Sequence, residues 1–186
     1  KIPGITFDEA NPSYVPGEVV NVAFTLSNAD ENTVVEALAN GLWEAEVEMS
    51  AYDKGNIKVT TPDSGGKGKV LVFVNKGGQT IMRNLLFDQG VVTIANDLYT
   101  VAPGDTILSV ELSTNLTAYE VQIPQTAQSW IRQTNSRTRA AMHSETLMLE
   151  IDANATAQDR SAVIQVVGTG DMTNLASFVI YQQSDV

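Results

Sequence analysis

The chain has 186 residues, with 22 acidic against 11 basic residues, one His and no Cys. That length holds one ordinary domain or two small ones, and 43% hydrophobic with 18% charged residues is the make-up of a folded chain. A net charge of −11 argues against nucleic acid, whose phosphates call for clustered Lys and Arg. The Cys and His counts leave no basis for a structural zinc site, a disulfide framework or a thiol nucleophile.

Period-two alternation dominates from the N-terminus onward, which predicts strands. In Glu18–Leu26 the residues Val20, Val22, Phe24 and Leu26 share one face. A helical turn is expected at Ala37–Ala39, and turns at Asn40-Gly41, Lys54-Gly55-Asn56, Ser64-Gly65-Gly66 and Gly77-Gly78. Val70–Val74 and Leu85–Phe87 are continuous apolar runs, the pattern of strands covered on both faces. Asp105–Ser113 alternates with Leu108, Val110 and Leu112 on one side. Thr146–Asp152 does so with Leu147, Leu149 and Ile151, and Ser161–Val167 with Ala162, Ile164 and Val166. A second helical turn is expected within Ala153–Gln158, but no amphipathic helix of ten residues is visible. No run reaches the ~20 apolar residues of a membrane-spanning helix. The fold class is therefore all-β, with short antiparallel strands at sandwich spacing.

An internal repeat divides this series. Tyr14-Val15-Pro16-Gly17 and Tyr99…Pro103-Gly104 each open an alternating strand, and Trp43 and Trp130 each follow their glycine by 26 residues. The halves close on Phe87-Asp88-Gln89 and Tyr181-Gln182-Gln183. All six Lys and Arg83 lie in residues 1–90 against 12 acids; residues 91–186 hold four Arg against 10 acids and no Lys. Two tandem immunoglobulin-like antiparallel β-sandwiches, 1–90 and 91–186, account for this most economically. Much of the surplus length of the second half can be placed in the polar stretch 132–143.

The second half, about residues 91–184, resembles the BACON domain, a Bacteroidetes-associated and often carbohydrate-binding module. The likeness rests on Tyr99…Gly104, Leu112-Ser113-Thr114-Asn115, Trp130-Ile131 and the polar stretch after it. It continues through Leu147–Ile151, Asn154, Arg160-Ser161-Ala162-Val163-Ile164 and Val179-Ile180-Tyr181-Gln182. The first half resembles an immunoglobulin-like companion, and its Gly68-Lys69-Val70 lacks the Arg that Arg160 supplies. The resemblance implies an extracytoplasmic protein of the cell surface or periplasm, adhering to glycan or mucin, or else a passive spacer that positions another domain. The chain opens at Lys1 with no signal peptide, so a processed segment of a longer polypeptide, with other domains as neighbours, is expected. Asp105-Thr106-Ile107 resembles an O-glycosylation signal of that phylum.

Catalysis finds little support in the residues. A Ser-His-Asp triad would need His143, but adjacent Ser144 points the other way on an extended chain, and no G-x-S-x-G elbow exists. No cofactor fingerprint is present: Ser64–Lys69 departs from the phosphate-loop pattern, since Asp63 stands where its first Gly belongs. Neither a catalytic residue, a cofactor nor a metal ligand is assigned. Two readings stand for Trp43 and Trp130: core residues of equivalent sandwiches, or flat platforms on which a sugar ring stacks. Tyr52 is a lesser stacking candidate. The segment 129–144 concentrates Arg132, Arg137 and Arg139 in an otherwise acidic half. Their forked guanidinium groups suit carboxylates or sulfates of acidic glycans, unless they pair with acids of their own domain. The expected ligand contacts are Arg132, Arg137, Arg139, His143 and Trp130.

Overall fold

The computed structural model describes residues 1–134, 143–169 and 172–186 and divides them into two compact units, Lys1–Gln89 and Gly90–Val186. The first unit contains β1 (Gly4–Phe7), β2 (Ser13–Tyr14), β3 (Val19–Ser27), β4 (Val34–Leu38), β5 (Glu44–Ala51), β6 (Lys54–Thr60), β7 (Gly68–Lys76) and β8 (Gln79–Gln89). They form two sheets, ordered β1-β3-β6-β5 and β2-β8-β7-β4. The second unit contains β9 (Val92–Ile94), β10 (Leu98–Val101), β11 (Thr106–Thr114), β12 (Glu120–Gln122), β13 (Ile131–Gln133), β14 (His143–Ile151), β15 (Arg160–Val167) and β16 (Asn174–Gln182). Its sheets run β9-β11-β14-β13 and β10-β16-β15-β12.

The two strand orders are the same, element for element, when eight is added to each label of the first unit. Each is the immunoglobulin arrangement, with first, second, fifth and fourth principal strands in one sheet and the remainder in the other. The fold is all-β and tandem immunoglobulin-like. It is not wholly antiparallel: β2 pairs with β8, and β10 with β16, in parallel.

Alternation explains the cores. Val22 and Phe24 of β3 meet Val70, Val72, Val74, Leu85 and Phe87 from the facing sheet in one buried cluster. In the second unit Val110, Leu112, Leu147, Leu149 and Ile151 meet Ala162, Ile164, Val166, Phe178 and Ile180. Each such side chain contributes about 1.5–3 kcal/mol when fully buried. The apolar runs behave differently from the two-sided coverage expected of them. Leu86 is exposed, and Leu71 and Phe73 are only half-buried. Only one face of the β7-β8 hairpin packs against a second sheet, so its other face keeps partial access to water.

Two local expectations are also corrected. Gly55 lies inside β6 rather than in a turn, because Phe24 and the Glu48 carbonyl occupy the space that a Cβ would take. Neither predicted helical turn forms: Leu38 ends β4, and the Ala153–Gln158 stretch is an irregular loop. Among the described residues, the helical turn that does form is 3₁₀, at Gln125–Ala127.

Candidate functional site

Trp130 directly precedes β13, and its side chain is 5% exposed within the second core. The Arg160 guanidinium lies over its ring, 4.2 Å from the centroid, a cation–π contact. Arg160 is fixed there by the fork of its own donors. Nε donates to Gln182 Oε1 at 2.8 Å, and Nη2 donates to the Asp152 and Ala153 carbonyls at 2.8 and 3.1 Å. Burial pulls its pKa below the usual value, and the Asp152 charge offsets part of that shift. Of the two roles weighed for Trp130, core packing is the one found.

Arg132 follows on β13, where it faces Glu150 and Asp152. It grips Asp152 with both arms, Nη1 to Oδ2 at 3.0 Å and Nη2 to Oδ1 at 2.6 Å, and approaches Glu150 at 3.4 Å. The hydrogen bond from Arg132 holds the Asp152 carboxyl below the usual carboxylate range, and Asp152 in turn raises the Arg132 pKa. The segment that the arginines share continues out of β13; Arg137 and Arg139 lie outside the described residues.

His143 begins β14, paired with Thr114, while Arg132 is paired with Glu150 of the same strand. Seven residues at about 3.4 Å each put the two positions roughly 24 Å apart, so the strand does not bring them together. His143 Nε2 lies 3.1 Å from Glu145 Oε1, both facing inward, while Ser144 faces out. Tyr119 donates its hydroxyl to the other oxygen of Glu145, and burial, with that carboxylate second, pushes the Tyr119 pKa up. Asn154 is fully buried. Its Nδ2 donates to the Gln158 and Gln183 carbonyls while Oδ1 accepts from Thr156, so it works as a loop brace.

Trp43 stands at the corresponding place in the first unit, directly before β5. A reverse turn delivers it: Gly41 adopts φ +64, where an L side chain is strained, and the Trp43 N–H donates to the Asn40 carbonyl at 3.2 Å. Its ring packs on Tyr14 and Phe87, with centroids 5.0 and 5.3 Å away, yet it stays half-buried and lines a cleft of ≈ 410 Å³. Tyr52, at the β5-β6 turn, is 57% exposed. Sequence reasoning gave Trp43 no place among the expected ligand contacts. The signal that separates it from Trp130 was the missing Arg at Gly68.

Residues 119–183, within the second unit, match the BACON family, described as "Putative binding domain, N-terminal". The resemblance read from the second half is thus matched over residues 119–183. No curated protein sequence matches the chain. Among solved structures, a chimeric titin Z1Z2 is similar at 9% identity and a TM-score of 0.46, over 100% of this chain and 99% of that one. An I-band fragment of titin gives 9% and 0.44, over 99% of this chain and 66% of the other. An endo-fucoidan hydrolase of glycoside hydrolase family 107 gives 11% and 0.41, with this chain spanning 34% of its length. Likenesses this remote speak to neither ligand nor reaction. BACON domains are typically extracellular, non-catalytic binding modules. Among the described residues, no helix is long and apolar enough to cross a membrane, which leaves β-barrel spans unaddressed.

Proposed function

We propose that this protein is a non-catalytic carbohydrate-binding or adhesion module of a Bacteroidetes surface protein, placed on the cell surface or in the periplasm and engaging glycan or mucin chains. The observation that carries the reading is the match of residues 119–183 to a family of binding domains. The protein works as two domains, 1–90 and 91–186. Arg137 and Arg139 are the proposed contacts for acidic sugars. Arg132, held by Asp152, and Trp130, covered by Arg160, support the root of that segment, and His143 closes it at the start of β14.

A second reading, a passive spacer that positions a neighbouring domain of a longer polypeptide, draws support from a specific observation. Arg132, His143 and Trp130 all have partners within their own unit. A glycan array followed by calorimetry with mucin oligosaccharides on the full chain separates the two. Saturable binding, weakened in an Arg137→Ala/Arg139→Ala variant, supports the module; no binding across the array leaves the spacer.

A further inference from the structure

The repeat allows a position-by-position comparison of the two tryptophans. In the second unit Arg160 opens β15 and pairs with Gln182; in the first, Gly68 opens β7 and pairs with Phe87. The next inward positions correspond as well, Ala162 with Val70 and Ile164 with Val72, all four buried. Gly68 and Phe87 therefore stand where Arg160 and Gln182 stand. In the second unit the arginine fork covers the indole; in the first there is no side chain to do so. A Cβ at Gly68 would run into Cζ2, Cε2 and Cη2 of Trp43, so the ring lies directly on the backbone. The ≈ 410 Å³ cleft opens beside that ring.

The lining joins two kinds of surface. Trp43 provides aromatic carbon, backed by the buried Phe87, and around it stand Asn11, Lys67, Lys69 and Asp88. A flat apolar wall edged by amide and charged groups suits a ring with one apolar face and a polar rim, which is the chemistry of a pyranose. The charge narrows the class. Lys67 lies 3.9 Å from Asp88, both well exposed, while Lys69 has no ion-pair partner among the described residues. An anionic substituent on the sugar would meet that ammonium.

We infer that the Trp43 cleft of the first unit binds a hexuronic-acid residue, its ring against Trp43 and its carboxylate toward Lys69. The inference rests on the carbohydrate-binding reading above but places a site outside the BACON domain.

The test is a titration of the ¹⁵N-labelled full chain with trigalacturonate and, separately, with neutral galactotriose. The two indole N–H cross-peaks are assigned with a Trp43→Phe variant. Trigalacturonate is expected to shift the Trp43 peak saturably and leave the Trp130 peak in place. Lys69→Gln, an exposed change that spares the core, is expected to weaken binding about fivefold, the scale of one exposed ion pair. Gly68→Arg, whose side chain must displace the Trp43 ring, is expected to abolish the shift, and the Lys69 variant stands in should that chain fail to fold. The inference is overturned if Trp43 stays unmoved, if galactotriose shifts it as strongly, or if Lys69→Gln binds unchanged. Shifts confined to the second unit would sink this site and keep the binding reading; no shift with any mucin or uronic-acid oligosaccharide would sink both.

Discussion

Removing the arginine that covers Trp130 is the sharpest test of how the second unit is held together. Arg160→Ala deletes three hydrogen bonds from a charged donor, to Gln182 Oε1 and to the carbonyls of Asp152 and Ala153. It also uncovers the indole face. Bonds to a charged group are worth about 1.5–3 kcal/mol each, but they are not additive and water can replace some of them at this half-buried residue. Counting two-thirds of that as recovered by water, and adding about 1 kcal/mol for the cation–π contact, the expected loss is about 3 kcal/mol. For a domain of fewer than 100 residues this lowers the transition by roughly 12–24 °C. Scanning calorimetry of the full chain should show the second unit's transition moving down while the first unit's stays in place. Arg160→Lys keeps the charge without the fork, and should recover less than half of the loss. A shift below about 4 °C, under 1 kcal/mol on the same scale, would mean that the fork is incidental. A single transition moving as a whole would refute the division into two domains.

Three further outcomes follow from the same geometry. Arg132→Ala removes an exposed carboxylate grip, so it should lower stability only slightly at neutral pH. Its larger effect is on acid response. Asp152 is held below the usual range by Arg132, so its contribution is complete above the unfolded carboxyl value near 3.9 and is lost as pH falls through the lower folded value. The decline in melting temperature from about pH 5 to 2 should therefore be shallower in the variant, and an identical slope would count against the pair. Acrylamide should quench Trp43 in a Trp130→Phe chain more strongly than Trp130 in a Trp43→Phe chain, and quenching of Trp130 at the rate of free indole would contradict its burial. Burial raises the Tyr14 and Tyr119 pKa values, and Asp159 raises that of Tyr181. Their contribution is thus present below the unfolded value near 10 and lost as pH rises through the higher folded values. The 295 nm absorbance should reach its tyrosinate plateau only as circular dichroism reports unfolding, and a full plateau by about pH 12, two units above the ordinary tyrosine value, with native dichroism would refute this.

The fold was largely legible because alternation is a direct consequence of strand geometry. Val20, Val22, Phe24 and Leu26, or Leu147, Leu149 and Ile151, cannot face one core on any other backbone. The repeat was legible for the same reason, since strand order follows the spacing of those patterns. What failed was inference from local composition. Leu85-Leu86-Phe87 read as a strand covered twice, but an apolar run does not reveal whether a second layer exists, and Leu86 is exposed. Lys54-Gly55-Asn56 read as a turn, but Gly55 is required by the approach of Phe24 across the strands.

The same comparison explains why the candidate site was harder to see than the fold. Composition drew attention to the arginines, since a cationic cluster in an acidic chain is conspicuous. The arginine that decides the fate of a tryptophan lies elsewhere, at the first residue of β15, and acts by covering Trp130. Its counterpart is a glycine, and a missing side chain has no signature in composition. Two sandwiches of one topology share a tryptophan before the same strand; in one it is covered by Arg160, itself held by Gln182, and in the other it packs directly on Gly68 and Phe87. A duplicated fold can in this way divide its labour: one copy buries the indole beneath an arginine, and the other sets it directly on a glycine and keeps it half-buried beside a cleft, the site proposed above for a ligand.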